Sequence, residues 1–438
     1  MASFSITIAF SVLFLLLIKY YVLDPLVLSP LSRVPGPTTF ALTKWRLGYE
    51  DWRGTRTPTI QQLHSKYGPA VRIGPNEVSF NSLTALKTVY GPGSRYGRTA
   101  FYRMFDVYGE QNLFSFHSVE EHGSRKKLLS HAYAKSTVLK TPTTQLIEEK
   151  TREYMDLIGS EPNHISDVFH TLHYYSLDNI TSFIYGKHGS TSALRGSGTD
   201  RALISDIMHP SRRKLSWCLA ASECADHFLA GIDTTSDTLM FLIWSLSLPE
   251  NQRFQDKLRD ELLGLPAESL NEHGYPRAEE SDRCTYLHAI IKETLRLYAP
   301  LPSSEPRSVN AASMVDGYRI PADTVVSISP WILHRNPEVF KNPLEFNPER
   351  WLGPDATELN RWFWAFSSGG RMCIGMHLAM AEMTTLIAAL YREYQTSIAP
   401  GFEDTTPGIT ARVEVFYDER FPTLQENTCL IKFDRLRK

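Results

Sequence analysis

The sequence predicts a mainly α fold with small β-sheets, forming one domain behind an N-terminal membrane-spanning helix. Three observations predict it. Phe4 to Ile18 is nearly uninterrupted apolar sequence, broken only by Ser5, Thr7 and Ser11. Most of the body repeats its apolar residues at helical spacing. Strand-like patterning is confined to two short regions and never reaches the length of a β-domain.

The apolar run comes first. Fifteen residues at helical rise span roughly 22 Å, less than a bilayer core. Continuing through Tyr20–Leu23 completes a span, with Lys19 snorkelling to the interface. A cleaved signal peptide is the rival reading. Met-Ala-Ser-Phe-Ser carries no basic start, and no clear small-x-small cleavage site follows, so an uncleaved anchor over residues 1–23 is expected. Lys19 and Arg33 follow the run, which places the remainder in the cytosol. Residues 24–40 hold Pro30, Pro35, Gly36 and Pro37, a stiff hinge before a domain over 41–438.

Within that domain, Val71–Pro75 and Glu77–Phe80 read as a hairpin about Gly74-Pro75-Asn76. Gly186–Gly198 reads as a loop. Glu223 to Leu248 reads as one long apolar helix, and Leu287–Arg296 as another. Ser308–Val309, Tyr318–Ile320 and Thr324–Ile328 form the second strand-like region, split by Asp316-Gly317.

The chain has 438 residues, 42% hydrophobic and 21% charged, enough to bury a large core. A net charge of −2 gives no nucleic-acid footprint. Five cysteines (Cys218, Cys224, Cys284, Cys373 and Cys429) form neither an even disulfide framework nor a zinc-like CxxC pair. A reducing, cytosol-facing location fits.

Cys373 stands apart. It sits in Phe366-Ser-Ser-Gly369-Gly-Arg371-Met-Cys373-Ile-Gly375. Gly369 and Gly375 are expected to take backbone conformations closed to other residues and to admit a flat partner. Leu378, Met383, Leu386, Ile387 and Leu390 predict a buried helix from Met376 onward. Cys373 then lies near a helix N-terminus, where free N–H groups favour an anionic sulfur. A buried structural cysteine is the ordinary alternative.

Two further constellations accompany it. Ala230-Gly231-Ile232-Asp233-Thr234-Thr235 places an acid and hydroxyls inside an apolar helix, which is costly unless they are satisfied. Asp233 could instead cap a new helix, or Thr234 could bond back to a carbonyl one turn earlier. Glu293 and Arg296 lie three apart on a helix, where a solvated ion pair is the ordinary reading. Phe346-Asn-Pro348-Glu-Arg350-Trp351 follows downstream.

Together these motifs resemble the cytochrome P-450 family over nearly the whole chain. The resemblance implies a b-type haem with Cys373 as axial thiolate, Phe366 near the sulfur and Arg371 on a propionate. A thiolate ligand favours O–O cleavage. It implies that Thr234 and Asp233 serve oxygen binding and proton delivery, with Ala230 and Gly231 keeping a notch open. It makes Glu293, Arg296 and Arg350 a buried structural triad and Arg307 a second propionate contact. His122-Gly-Ser-Arg125-Lys126 departs from the family pattern: strict spacing selects His122 and Lys126, and Arg125 falls one residue out of place. The basic run also suits docking of an acidic FAD/FMN reductase that delivers electrons from NADPH.

The implied activity is insertion of one atom of O2 into an apolar small molecule, by hydroxylation or epoxidation, at the endoplasmic reticulum membrane. Lys66–Pro75 resembles fungal members acting in secondary metabolism, on a polyketide, terpenoid or alkaloid. One departure is large. Only 43 residues separate Gly186 from Ala230, where the family places the helices that roof its pocket, so the region between 187 and 229 is expected to be shortened. An open pocket or a shortened gene model accounts for it, and the intact order of the other landmarks favours the second. A haem-binding but catalytically impaired product, and a membrane-tethered scaffold without haem, stay open as alternatives.

Overall fold

A computed structural model describes residues 2–186, 189–195 and 215–436. Of the region expected to be shortened, 187–188 and 196–214 lie outside the described residues. Its last part, from Leu215 onward, belongs to a long helix, Leu215–Ser247, here called the distal helix. It begins eight residues before its sequence-predicted start.

The distal helix runs through the core. Leu239, Met240, Phe241, Leu242, Ile243, Trp244 and Leu246 are all buried. A helix apolar on every side needs partners on every side. It packs against Val168–Tyr185, Thr285–Leu297 and Met376–Glu393. Phe241 stacks flat on Tyr298 with ring centroids 4.3 Å apart. The Met376–Glu393 helix starts at its sequence-predicted residue and buries every position from Ala381 to Tyr391.

The expected hairpin forms between Ala70–Gly74 and Glu77–Phe80, which pair antiparallel. It grows into a five-stranded sheet. Val325–Ser327 joins parallel to the second strand, then Arg307–Ser308, then Gly97–Arg98. Ser313–Val315 and Tyr318–Ile320 pair across the Asp316-Gly317 turn. Two three-stranded sheets use the C-terminal residues between Tyr394 and Arg435, one of them with Ile165–Asp167. Thr405–Ala411 buries four residues in a row and Thr423–Glu426 buries none, so neither carries the alternation that marks a strand in sequence.

Ala2–Ile18 is helical and continues through a π-helical stretch, Lys19–Leu28, with Pro25 inside it. Phe10–Leu28 has a mean hydropathy of 1.9 and nothing buried against the protein, so this N-terminal helix is a possible membrane anchor. Arg72 Nη1 donates to Pro25 O at 2.5 Å and ties the foot of that helix to the first sheet.

Candidate functional site

The cysteine loop is held by backbone bonds. Cys373 N donates to Phe366 O at 2.9 Å and Met372 N to Gly369 O at 3.2 Å. Gly369 has φ +63°, and a Cβ there would lie 2.5 Å from Tyr90 O and 2.6 Å from Gly91, so only glycine fits. Gly375 departs from expectation. Its φ is −80°, ordinary for any residue, and an added Cβ would meet little but Cys373 Sγ at 4.0 Å. Its smallness therefore keeps space beside the sulfur.

Cys373 has an exposed surface, yet protein surrounds it at longer range. The space it faces lies within the molecule. That surrounding burial pushes its thiol up, against the pull of the Gly375 and Met376 N–H groups and Lys126. The carboxylate of Asp226, on the distal helix, raises it further.

Around this loop gather cations whose hydrogen-bonding groups are only partly satisfied. Arg98 and Arg307 are directly opposite each other in an antiparallel strand pair. Both are buried, and each leaves Nε and Nη1 without a hydrogen-bond partner. Like charges in that register repel. Glu305 stands 3.7 Å from Arg307 Nη2, too far for a good hydrogen bond. Arg371 approaches from the cysteine loop and spends two nitrogens on carbonyls: Nη1 on Phe116 O at 2.8 Å, Nη2 on His117 O and Ser118 O. Its Nε is left without a partner. Burial and the neighbouring arginines bring Arg98 down to about 10 and Arg371 to about 9.

The basic run divides cleanly. Arg125 pairs with Glu223 of the distal helix at 2.8 Å. Lys126 Nζ donates to Gly370 O at 3.0 Å and Met372 O at 2.6 Å, on the cysteine loop. His122 is buried, and burial with Arg371 and Arg98 brings it down to about 3. His122 and Lys126 thus face the cation cluster, and Arg125 does not.

On the distal helix, Ala230 and Asp233 are exposed and Thr234 is half-buried. Thr234 Oγ1 donates to Ala230 O at 2.7 Å, the back-bonded arrangement open from the sequence. Asp233 Oδ1 stands 3.9 Å from His173 Nε2; although its surface is open, the protein enclosing it at longer range pushes its carboxyl up. A Cβ added at Gly231 would lie 2.6 Å from Ile180 Cγ1, so its smallness serves close packing of two helices.

Glu293 and Arg296 are fully buried and doubly bonded, Arg296 Nε to Oε2 at 2.9 Å and Nη2 to Oε1 at 2.8 Å. Arg350 Nε, Trp351 Nε1 and Asn347 N add bonds of 3.0, 3.0 and 2.9 Å to the same carboxylate. Five donors hold Glu293 below the usual carboxylate range despite complete burial. The ordinary solvated pair is thereby replaced by a closed network.

Sequence reasoning missed Arg98, His173 and an aromatic group. Phe101, Tyr102, Phe105 and Phe114 pack edge to face, with Phe105 and Phe114 centroids 4.9 Å apart. Arg98 covers Tyr102 and Phe114 at 4.4 and 4.1 Å. The density of aromatics after Tyr96 was the available signal. Glu223 and Asp226 fix this loop to the distal helix by accepting from Leu113 N at 3.3 Å and Phe114 N at 3.2 Å. With His227, which contacts Tyr133 Oη at 2.7 Å, these acids resemble a metal cluster, but protein groups already engage all three.

The residues fit a haem. A sulfur faces interior space, and three guanidiniums beside it lack the anions that two propionates would bring. Comparison with known proteins agrees. Residues 195–412 match the family model described as Cytochrome P-450. The cytochrome P-450 monooxygenase FGM1 of Gibberella zeae is 24% identical over 442 residues, covering 83% of this chain and 86% of its own. The monooxygenase stcB of Emericella nidulans is 26% identical over 435 residues, covering 83% and 82%. The monooxygenase aflV of Aspergillus parasiticus is 26% identical over 463 residues, covering 89% of each. The first and third alignments are longer than the whole chain while covering only part of it, so those relatives carry residues with no counterpart here.

Proposed function

This chain belongs to the cytochrome P-450 family of haem monooxygenases, and from that premise we propose that it hydroxylates or epoxidises an apolar small molecule of fungal secondary metabolism. One observation carries the site assignment: Cys373 opens onto interior space near strand-paired Arg98 and Arg307, whose Nε and Nη1 atoms have no hydrogen-bond partner. Haem held there supplies activation of O2, with its iron on the Cys373 thiolate.

The chain's own residues have these roles. Arg98, Arg307 and the Nε of Arg371 bind the propionates as charge-assisted donors. The Gly375 and Met376 N–H groups and Lys126 stabilise the sulfur as an anion. Lys126 also fixes the loop through its two carbonyl bonds, and neutral His122 packs behind the arginines. Asp233, its carboxyl pushed up by the surrounding protein, is placed to relay a proton, with His173 3.9 Å away as the group that can renew it. Thr234, its hydroxyl turned to Ala230 O, positions that delivery. Phe101, Phe105 and Phe114 supply an apolar wall for substrate. Glu293, Arg296 and Arg350 hold the loop framework and take no chemical step.

The N-terminal helix anchors the protein in the endoplasmic reticulum membrane with the domain facing the cytosol. An NADPH-dependent FAD/FMN reductase docks on the face carrying exposed Lys127. The residues missing relative to the relatives favour one second reading, a haem-bound but impaired product.

Purified full-length protein, reduced and exposed to CO, tests the site. A red-shifted Soret band lost in Cys373→Ala is the expected result, and retention of that band in the variant refutes the ligand assignment. NADPH consumption with reductase and no product from a library of apolar compounds marks the impaired reading. Thr234→Ala is expected to separate NADPH use from product formation.

A further inference from the structure

The aromatic group Phe101, Tyr102, Phe105 and Phe114 carries a guanidinium at each end. Arg98 covers Tyr102 and Phe114, and the Arg412 guanidinium covers Phe101, 3.9 Å from its ring centroid. Arg98 is buried and belongs to the propionate cluster. Arg412 is half-buried and has no part in that cluster.

Arg412 opens a two-residue turn between the paired strands Thr405–Ala411 and Glu414–Tyr417. Its φ is +62°, a left-handed value at a hairpin position that favours glycine, asparagine or aspartate. An arginine there is strained, and strain of that kind gathers where a side chain has a use. Core packing does not explain the turn, because Val413 beside it is 60% exposed.

The guanidinium also lacks an acid of its own. Its Nη2 reaches Ser304 O only at 3.5 Å, the outer limit of a hydrogen bond. The acids whose charge it feels are engaged elsewhere. Asp51 and Glu77 pair with Arg56 at 2.8 and 2.6 Å, and Glu414 accepts from Thr57 N and Oγ1 at 2.5 and 2.7 Å. Among the described residues, no carboxylate comes within ion-pair distance of Arg412. The enclosing protein, and then Arg56, pull its guanidinium below the ordinary arginine value.

We propose that Arg412 receives a carboxylate of the substrate, so that the molecule oxidised here is an apolar body carrying an acid group. The body lies along Phe101 and Phe105, and the carboxylate takes the guanidinium fork that no protein acid fills. A neutral molecule of the same shape leaves that fork unanswered. Holding the acid end at Arg412 also fixes which end of the body points away from it. This rests on the aromatic group being the substrate wall of a haem monooxygenase.

Equilibrium dialysis of full-length protein near neutral pH tests it, with decanoic acid against decanamide and naphthoic acid against naphthamide. Dialysis reads binding with or without haem, and the CO-bound spectrum of the same preparation reads the haem assignment separately. At least one acid is expected to bind about tenfold more tightly than its amide. Arg412→Met keeps an alkyl stem over Phe101 and is expected to lose that preference with amide binding unchanged, while Arg412→Lys keeps part of it. Amides bound as tightly as acids, neither acid bound, or a preference unchanged in Arg412→Met overturns the proposal. Loss of acid and amide binding together in Arg412→Met marks a merely structural role and overturns it as well. An acid preference that depends on Arg412, in protein without the thiolate CO band, supports the anion site and sinks the haem assignment instead.

Discussion

Two clusters of buried arginine lie in this molecule, and they are built oppositely. At Glu293, one carboxylate collects five donors, and the remaining N–H groups of Arg296 donate to the carbonyls of His334, Pro343 and Glu345. At Arg98 and Arg307, two guanidiniums meet across a strand pair with four nitrogens unpartnered. The first cluster is complete within the polypeptide. The second is complete only with a dianionic guest. A buried charge left unpaired is costly, so an unfinished cluster marks where the chain expects something that is not protein.

That contrast can be broken at either end. Glu293→Ala strands two guanidiniums in the finished cluster and is expected to cost about 3–5 kcal/mol, read as a large fall in Tm with loss of haem content. The cysteine loop between the clusters is next. Gly369→Ala combines a left-handed φ with a backbone clash and is expected to cost about 1–3 kcal/mol. Gly375→Ala, at an ordinary φ, leaves chemical stability near wild type and instead changes the CO-bound spectrum.

Acid then probes both sides. His334 shares the finished cluster and His122 the unfinished one, and burial with neighbouring arginines brings each down to about 3. The unfolded chain takes up protons near the ordinary histidine value, 6.5, before the folded one does. Stability is therefore full above that value and falls as pH drops toward about 3, by about 1.4 kcal/mol per pH unit for fully buried His334. Denaturant melts from pH 7 to 4 measure the slope, and His334→Gln should flatten it. Glu293, held low, adds a further loss only as pH falls below the usual carboxylate range.

The smallest effect separates the clusters most sharply. Arg98→Met removes like-charge repulsion while keeping an alkyl chain over Tyr102 and Phe114, so protein without haem is expected to gain about 0.2–1 kcal/mol. The same variant should release haem faster to an acceptor globin. Glu293→Ala cannot stabilise either form. A destabilised haem-free Arg98→Met would show that this cluster is finished after all.

Much of this was legible in the chain. The helix from Met376, the tight turn at Gly369 and the Glu293–Arg296 pair depend on residues a few positions apart. Short-range sterics and helical periodicity encode such features, so the sequence alone determined the cysteine loop, the apolar N-terminal helix and the mainly α class. Other features required the chain to return on itself. Arg98 meets Arg307 from 209 positions away only because two short strands pair. Gly231 answers to Ile180, on another helix. Arg125 turns to Glu223 and Lys126 to the cysteine loop, although they are neighbours in sequence. Charge and size are written in the sequence, but whether a charge is paired depends on which distant side chains burial brings within hydrogen-bond reach. Tertiary structure alone decided that.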